Sequence, residues 1–316
     1  QILSGFRGHS LTQNPVQQHQ IIMSGRSPSL KSLVLDLISG EIIQQIDAIP
    51  NHHMQGHSVY SSDGQFLFST EAHQQTGQGK ISVRETQGFT LVAQFNTHGI
   101  GPHELKLMPN KQTLVIANGG LHKRFEGKRK ILNLNTMDSS LVYIDSITGQ
   151  LISQHRVKEK SASIRHLDIS TDGTVAAAVQ VQRKTTGHNQ PIPLAFIHKP
   201  DSDKLLPLNA TDKVILKLND YMGSVRVHSK YGIAAFTSPK GNLALFWDVD
   251  TQQLVGHHAF HNVCGLTLDR ENKYFILSNS AGKIRQINAL TLKEDQNRRM
   301  SFPNMHWDNH MHTAII

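Results

Sequence analysis

The chain has 316 residues, a 38% hydrophobic composition and a formal net charge of +8. No apolar run approaches the ~18 residues of a spanning helix, so no membrane span is expected. The single cysteine, Cys264, excludes an intramolecular disulfide. The basic excess comes without an aromatic stacking strand or a nucleic-acid motif, which sets nucleic acid aside as a partner.

Taken in chain order, short apolar runs alternate with polar turns, and helical periodicity is absent. One turn recurs as Asp-x-x-Ser/Thr-Gly-Glu/Gln. It reads Asp36 to Glu41, then Asp145 to Gln150, then Asp248 to Gln253 with Gln252 in place of glycine, and is shortened at Glu85 to Gly88. Aspartate accepts backbone hydrogen bonds in turns and glycine takes positive φ without a steric cost. Each copy lies between two apolar segments, as expected of a hairpin joining the third and fourth strands of a repeating unit.

A second mark opens each unit: a short segment, a turn about six residues later, then an apolar run. It places unit starts near His9, His57, His103, His166, Ser224, Cys264 and His306. Spacings of roughly 40–63 residues bracket a four-stranded propeller blade with insertions. The expected fold is therefore all-β: a seven-bladed β-propeller of four-stranded antiparallel blades in one domain, residues 1–316. Residues 306–316 begin a seventh unit that the chain does not finish. A strand from the first eight residues is expected to share that blade, and such closure removes free sheet edges.

Two units carry extra length, at 119–139 and 182–191. The first holds the densest basic cluster, with Lys123, Arg124, Lys128, Arg129 and Lys130. Long loops on a rigid scaffold tend to carry function. This one reads either as a solvated loop or as a docking site for an acidic partner.

Histidine is the compositional anomaly, with 20 in the chain. In a propeller the first strand of each blade lines the central channel. His9, His57, His103, His166, Cys264 and His306 are thus expected to form a ring of imidazoles and one thiol. Such a ring suits zinc, copper or iron, with Glu104 and Asp308 as possible carboxylates. The competing reading is that these histidines are hydrogen-bonding pegs between blades. In an alternating strand His306, Asp308, His310 and His312 would share one face. No Cys-x-x-Cys-His, His-Glu-x-x-His or Gly-x-Ser-x-Gly occurs, so no familiar catalytic pattern is present.

Several segments resemble a bacterial family of exported propellers of unknown function. They are GIGPHEL at 99–105, IANGG at 116–120, KILNLNTM at 130–137, SLVYID at 140–145, IRHL at 164–167, TSPKG at 237–241 and VCG at 263–265. The family looks like a relative of quinoprotein and YVTN-type propellers. Its members carry twin-arginine export signals, and their genes often neighbour imelysin-like and dihaem peroxidase-like proteins. The resemblance implies a periplasmic setting and an iron-linked process, and it assigns no catalytic residue. A chain beginning at Gln1 is expected to be a trimmed product whose export signal has gone. The expected function is a monomeric, non-enzymatic binding or accessory protein. It would handle iron, haem or another metal beside envelope iron-handling or haem proteins. A metal-dependent hydrolase or lyase of the propeller-lactonase type and a pure interaction scaffold stand as alternatives.

Overall fold

A computed structural model describes residues 2–126 and 128–315, with the backbone alone at residues 126, 128 and 129. The chain divides into two compact units, residues 1–164 with 314–316 and residues 165–313.

Unit 1 holds three four-stranded antiparallel sheets. Blade 1 is β1 (Gly8–Gln13), β2 (Gln20–Gly25), β3 (Lys31–Asp36) and β4 (Ile42–Asp47), and blade 2 is β5 (His52–Tyr60), β6 (Phe66–His73), β7 (Gln78–Glu85) and β8 (Leu91–Ile100). Blade 3 begins with β9 (Pro102–Leu107) and β10 (Thr113–Asn118). It continues past an inserted hairpin, β11 (Lys123–Glu126) with β12 (Lys128–Ile131), to β13 (Ser140–Asp145) and β14 (Leu151–His155). The unit boundary falls within β15 (Ala162–Ile169).

Unit 2 continues the repeat. Blade 4 adds β16 (Val175–Val181), β17 (Ala195–His198) and β18 (Leu206–Pro207) to β15, and a short helix, α1 (Asp212–Lys217), follows it. Blade 5 is β19 (Val225–His228), β20 (Ile233–Ser238), β21 (Leu243–Asp248) and β22 (Leu254–Ala259). Blade 6 is β23 (Val263–Leu268), β24 (Tyr274–Asn279), β25 (Lys283–Asn288) and β26 (Met300–Ser301).

The fold is thus an all-β propeller of four-stranded antiparallel blades, and it has six of them, not seven. The start expected near His306 builds no strand: residues 302–315 contain no β-structure. Pro303, Asn304, Asp308 and Asn309 interrupt the stretch, and no alternating apolar run follows to bury a sheet face. The first residues do not supply the expected strand either. Ile2 and Phe6 instead pack as coil on Ile21, Leu33 and Leu35, covering one face of blade 1.

The turn chemistry explains the regularity. Asp36 Oδ1 accepts from the backbone N–H of Ile38 and Ser39 at 2.7 and 2.9 Å, and Asp145 Oδ1 accepts from Ile147 and Thr148. Asp248 Oδ1 accepts from Thr251. These backbone donors hold all three carboxyls below the usual carboxylate range. A further copy hides in blade 6. There Asn288 Oδ1 accepts from Leu290 and Thr291, and Leu292 takes the positive φ of the missing glycine.

Apolar side chains pack between blades. Phe68, Ile81, Leu105, Leu114, Ile116 and Val142 join blade 2 to blade 3, and Ile22, Val34, Met54, Tyr60 and Leu67 join blade 1 to blade 2. In unit 2, Phe246, Phe275, Leu266 and Leu277 do the same for blades 5 and 6. These contacts fix the first strands of successive blades side by side.

Candidate functional site

His9, His57 and His103 lie on β1, β5 and β9, the first strands of the three blades of unit 1. Each sits where its strand departs from regular pairing. The ladder shifts between Gly8 and Leu11 in β1, between Met54 and Ser58 in β5, and at the Pro102–Leu105 stretch of β9. A bulge bends a strand and re-aims the side chain it carries. Three equivalent bulges therefore bring three imidazoles together.

The rings are close. Centroids are 5.0 Å apart for His9 and His57, 4.8 Å for His57 and His103, and 5.2 Å for His9 and His103. His9 Nε2 and His103 Nε2 are 3.5 Å apart. All three residues are buried, with His57 only 4% exposed. Glu104 Oε1 lies 3.8 Å from His57 Nδ1 and 3.8 Å from Lys106 Nζ, so a carboxylate stands beside the cluster. Gly56 makes the arrangement sterically possible. Its φ is +99°, and a Cβ there would meet the His9 ring.

Hydroxyl groups knit the strands beneath the rings. Thr70 Oγ1 contacts His57 O at 3.2 Å and His103 O at 2.8 Å, while Ser10 and Thr12 donate to Gly56 O and Ser58 O. In unit 2 Thr237 plays the same part. It donates to Cys264 O and accepts from the Ser224 amide. The second-strand threonines Thr70 and Thr237 thus supply hydrogen-bonding pegs between blades.

His166, Cys264 and His306 belong to unit 2. His166, on β15, meets His310 with ring centroids 4.6 Å apart. His306 is exposed and bonds through Nδ1 to Ser280 O at 2.9 Å. The tail is held there because Ser224 donates to Asn309 O and Thr313 donates to Leu268 O. The alternating face expected of His306, Asp308, His310 and His312 does not form, since no strand forms.

Cys264 lies at the matching bulge of β23, and its thiol donates to Asn262 O at 3.1 Å. Burial, with the Asp308 carboxylate adding to it, pushes the thiol up to about 11. At neutral pH it is a buried, protonated thiol. Iodoacetamide should label native Cys264 far more slowly than the urea-unfolded chain at pH 8, as read by mass spectrometry. Equal labelling rates would show an exposed, ionised cysteine.

The basic insertion forms the β11–β12 hairpin. Lys123 is buried, Arg124 and Lys130 are exposed, and the side chains of Lys128 and Arg129 lie outside the described residues.

No helix among the described residues is long and apolar enough to cross a membrane. No curated protein matches the chain. Solved structures match in large numbers, 1577 chains in all, so this architecture is widely shared and carries no function by itself. One of them, a chain of the crystal structure of the mitotic checkpoint complex, superposes with a TM-score of 0.68. Its sequence is 12% identical, and the match covers 96% of this chain and 81% of that one. Residues 4–314 match the family described as "Protein of unknown function (DUF1513)", and the chain belongs to that family.

Proposed function

We propose that this propeller is a non-enzymatic metal-binding protein of the periplasm, holding one tetrahedral transition-metal ion, zinc or copper, on His9, His57 and His103. The observation that carries the reading is the 3.5 Å between His9 Nε2 and His103 Nε2. Zinc–imidazole bonds of about 2.0–2.1 Å at a tetrahedral angle separate two ligand nitrogens by about 3.3 Å. Two buried imidazoles already stand near that spacing. His57 stands beside both, its ring centroid 5.0 Å from that of His9 and 4.8 Å from that of His103, and would offer the third nitrogen. Glu104, across from His57 Nδ1, supplies the carboxylate that often orients a ligating histidine.

The periplasmic setting rests on the family resemblance, as does a link to iron-handling or haem-bearing envelope partners. A hydrolase of the lactonase type is less well supported. Such a site draws on several carboxylates, and Glu104, the carboxylate beside His57, is in ion-pair reach of Lys106.

Calorimetric titration of untagged, chelator-stripped protein with zinc, and with copper(I) under reducing conditions, tests the reading. One equivalent should bind, and His103→Ala should lower affinity at least about 100-fold. Affinity should also fall as pH drops from 7 to 5, because protons compete for ligand nitrogens. Equal binding by wild type and His103→Ala would remove the site.

A further inference from the structure

The basic hairpin roofs a cavity of about 520 Å³ in unit 1, a volume in the range of small-molecule sites. Its lining includes the basic residues Lys123 and Arg124, the imidazole of His53, and the apolar Leu30, Phe125 and Leu132. None of the described residues lining it is acidic.

The site is built into the sheet. His53 belongs to β5 and is buried, and its Nδ1 lies 2.7 Å from Gln55 Nε2. An amide donating to Nδ1 leaves Nε2 as the protonated nitrogen of the neutral ring. Burial, joined by the charges of Lys123, His52 and His122, holds His53 below its ordinary range. The Phe125 ring meets His53 edge to face, with centroids 5.9 Å apart.

The roof itself is anchored. The His122 amide donates to Asn133 Oδ1 at 2.7 Å, Asn133 Nδ2 donates to Gly120 O, and Leu132 N donates to His122 O. Leu121 and Met137 are buried at its base. This anchoring separates the pocket from a loop that merely solvates its charges.

We propose that the pocket binds a small organic anion, a carboxylate or phosphate monoester carried on a compact apolar body. Lys123 and Arg124 would donate to the anionic oxygens, where charge-assisted hydrogen bonds are strongest. Phe125, Leu30 and Leu132 would cover the apolar body. The pocket's volume favours a small ligand over a length of acidic polypeptide. The proposal does not depend on the histidine cluster of β1, β5 and β9, whose residues do not line the pocket.

The test uses the full chain, stripped of metal, with phenyl phosphate and benzoate as probes and benzamide as their neutral counterpart. Calorimetry should show saturable 1:1 binding of both anions, with benzamide about tenfold weaker or worse. Arg124→Gln, at an exposed position, should weaken phenyl phosphate about tenfold, and Lys123→Gln should do likewise with an unchanged circular dichroism spectrum. Lys230→Gln, in unit 2, should bind as wild type does.

Benzamide binding as tightly as benzoate would overturn the proposal, as would unaltered binding by Arg124→Gln. Absence of saturable anion binding up to about 10 mM would also overturn it. A polyglutamate peptide binding more tightly than phenyl phosphate would replace it with a protein-docking site. Repeating the titration on His103→Ala separates the two readings, since loss of the metal site should leave anion binding intact.

Discussion

Replacing Glu71 with alanine should destabilise blade 2 by about 3–5 kcal/mol, the cost of leaving a buried charge without its partner. Glu71 is fully buried on β6 and faces Arg84 of β7, 5% exposed, with Arg84 Nη1 3.4 Å from Glu71 Oε1. Its other oxygen accepts from the Ile49 amide at 2.8 Å, while Arg84 Nη2 donates to Asp47 O at 2.7 Å. One carboxylate thus satisfies a guanidinium and a buried backbone donor in the link between blades 1 and 2. Alanine would strip both, and water has little access to replace it.

Native-state hydrogen exchange isolates the effect. Protection of the slowest amides in β5, β6 and β7 should fall about 10²–10⁴-fold in Glu71→Ala. Glu71→Gln should cost less, because its carbonyl still accepts from Ile49. Lys80→Ala removes the side chain paired opposite Glu71 in the β6–β7 register. Its loss should stay within about 0.5 kcal/mol. A Glu71→Ala effect as small as that of Lys80→Ala would show that the buried pair contributes nothing to the blade.

The starts of the six blades were legible because their signals are local. An Asx turn needs only its own four or five residues, and glycine or asparagine at the positive-φ position marks its end. The Asn288 turn was missed because asparagine replaced aspartate and leucine replaced glycine, although the same hydrogen bonds form. The seventh start was misread because Met305-His306-Trp307 resembles a unit opening, while a blade requires strands after it. Whether strands follow depends on residues 308–315, and these are held as coil by hydrogen bonds to Ser224 and Leu268.

At the site, the histidines were visible as residue types and their convergence was not. Convergence depends on bulges, and a bulge is a relation between two strands that one strand's sequence does not record. The same holds for Glu71 and Arg84. Strand alternation places Glu71 opposite Lys80, yet its carboxylate reaches diagonally to Arg84 and across to Ile49. On the sequence His310 is one of four residues sharing a strand face, whereas in the structure it meets His166 in a ring contact.

Gly56→Ala is the sharpest probe of the histidine cluster, because it leaves every ligand type in place. Gly56 has φ of +99°, a region L-residues rarely enter. The added methyl would fall on Cδ2 of His9, with Cγ and Cβ close behind. The ring of His9 cannot stay 3.5 Å from His103 Nε2 while that methyl is present, so either the ring or the β5 bulge must move. Gly40→Ala provides the contrast. Gly40 also has positive φ, at +74°, but nothing lies within 4 Å of a Cβ there. Both variants bear a backbone cost of about 1–3 kcal/mol, and only Gly56→Ala disturbs the cluster. Zinc affinity should therefore fall at least about 100-fold in Gly56→Ala, comparable to removing a ligand, and stay unchanged in Gly40→Ala. Calorimetry on both proteins, each confirmed folded by circular dichroism, gives the comparison. Wild-type affinity in folded Gly56→Ala would mean that His9 takes no part in holding the ion, and the His9–His103 spacing would then lose its significance.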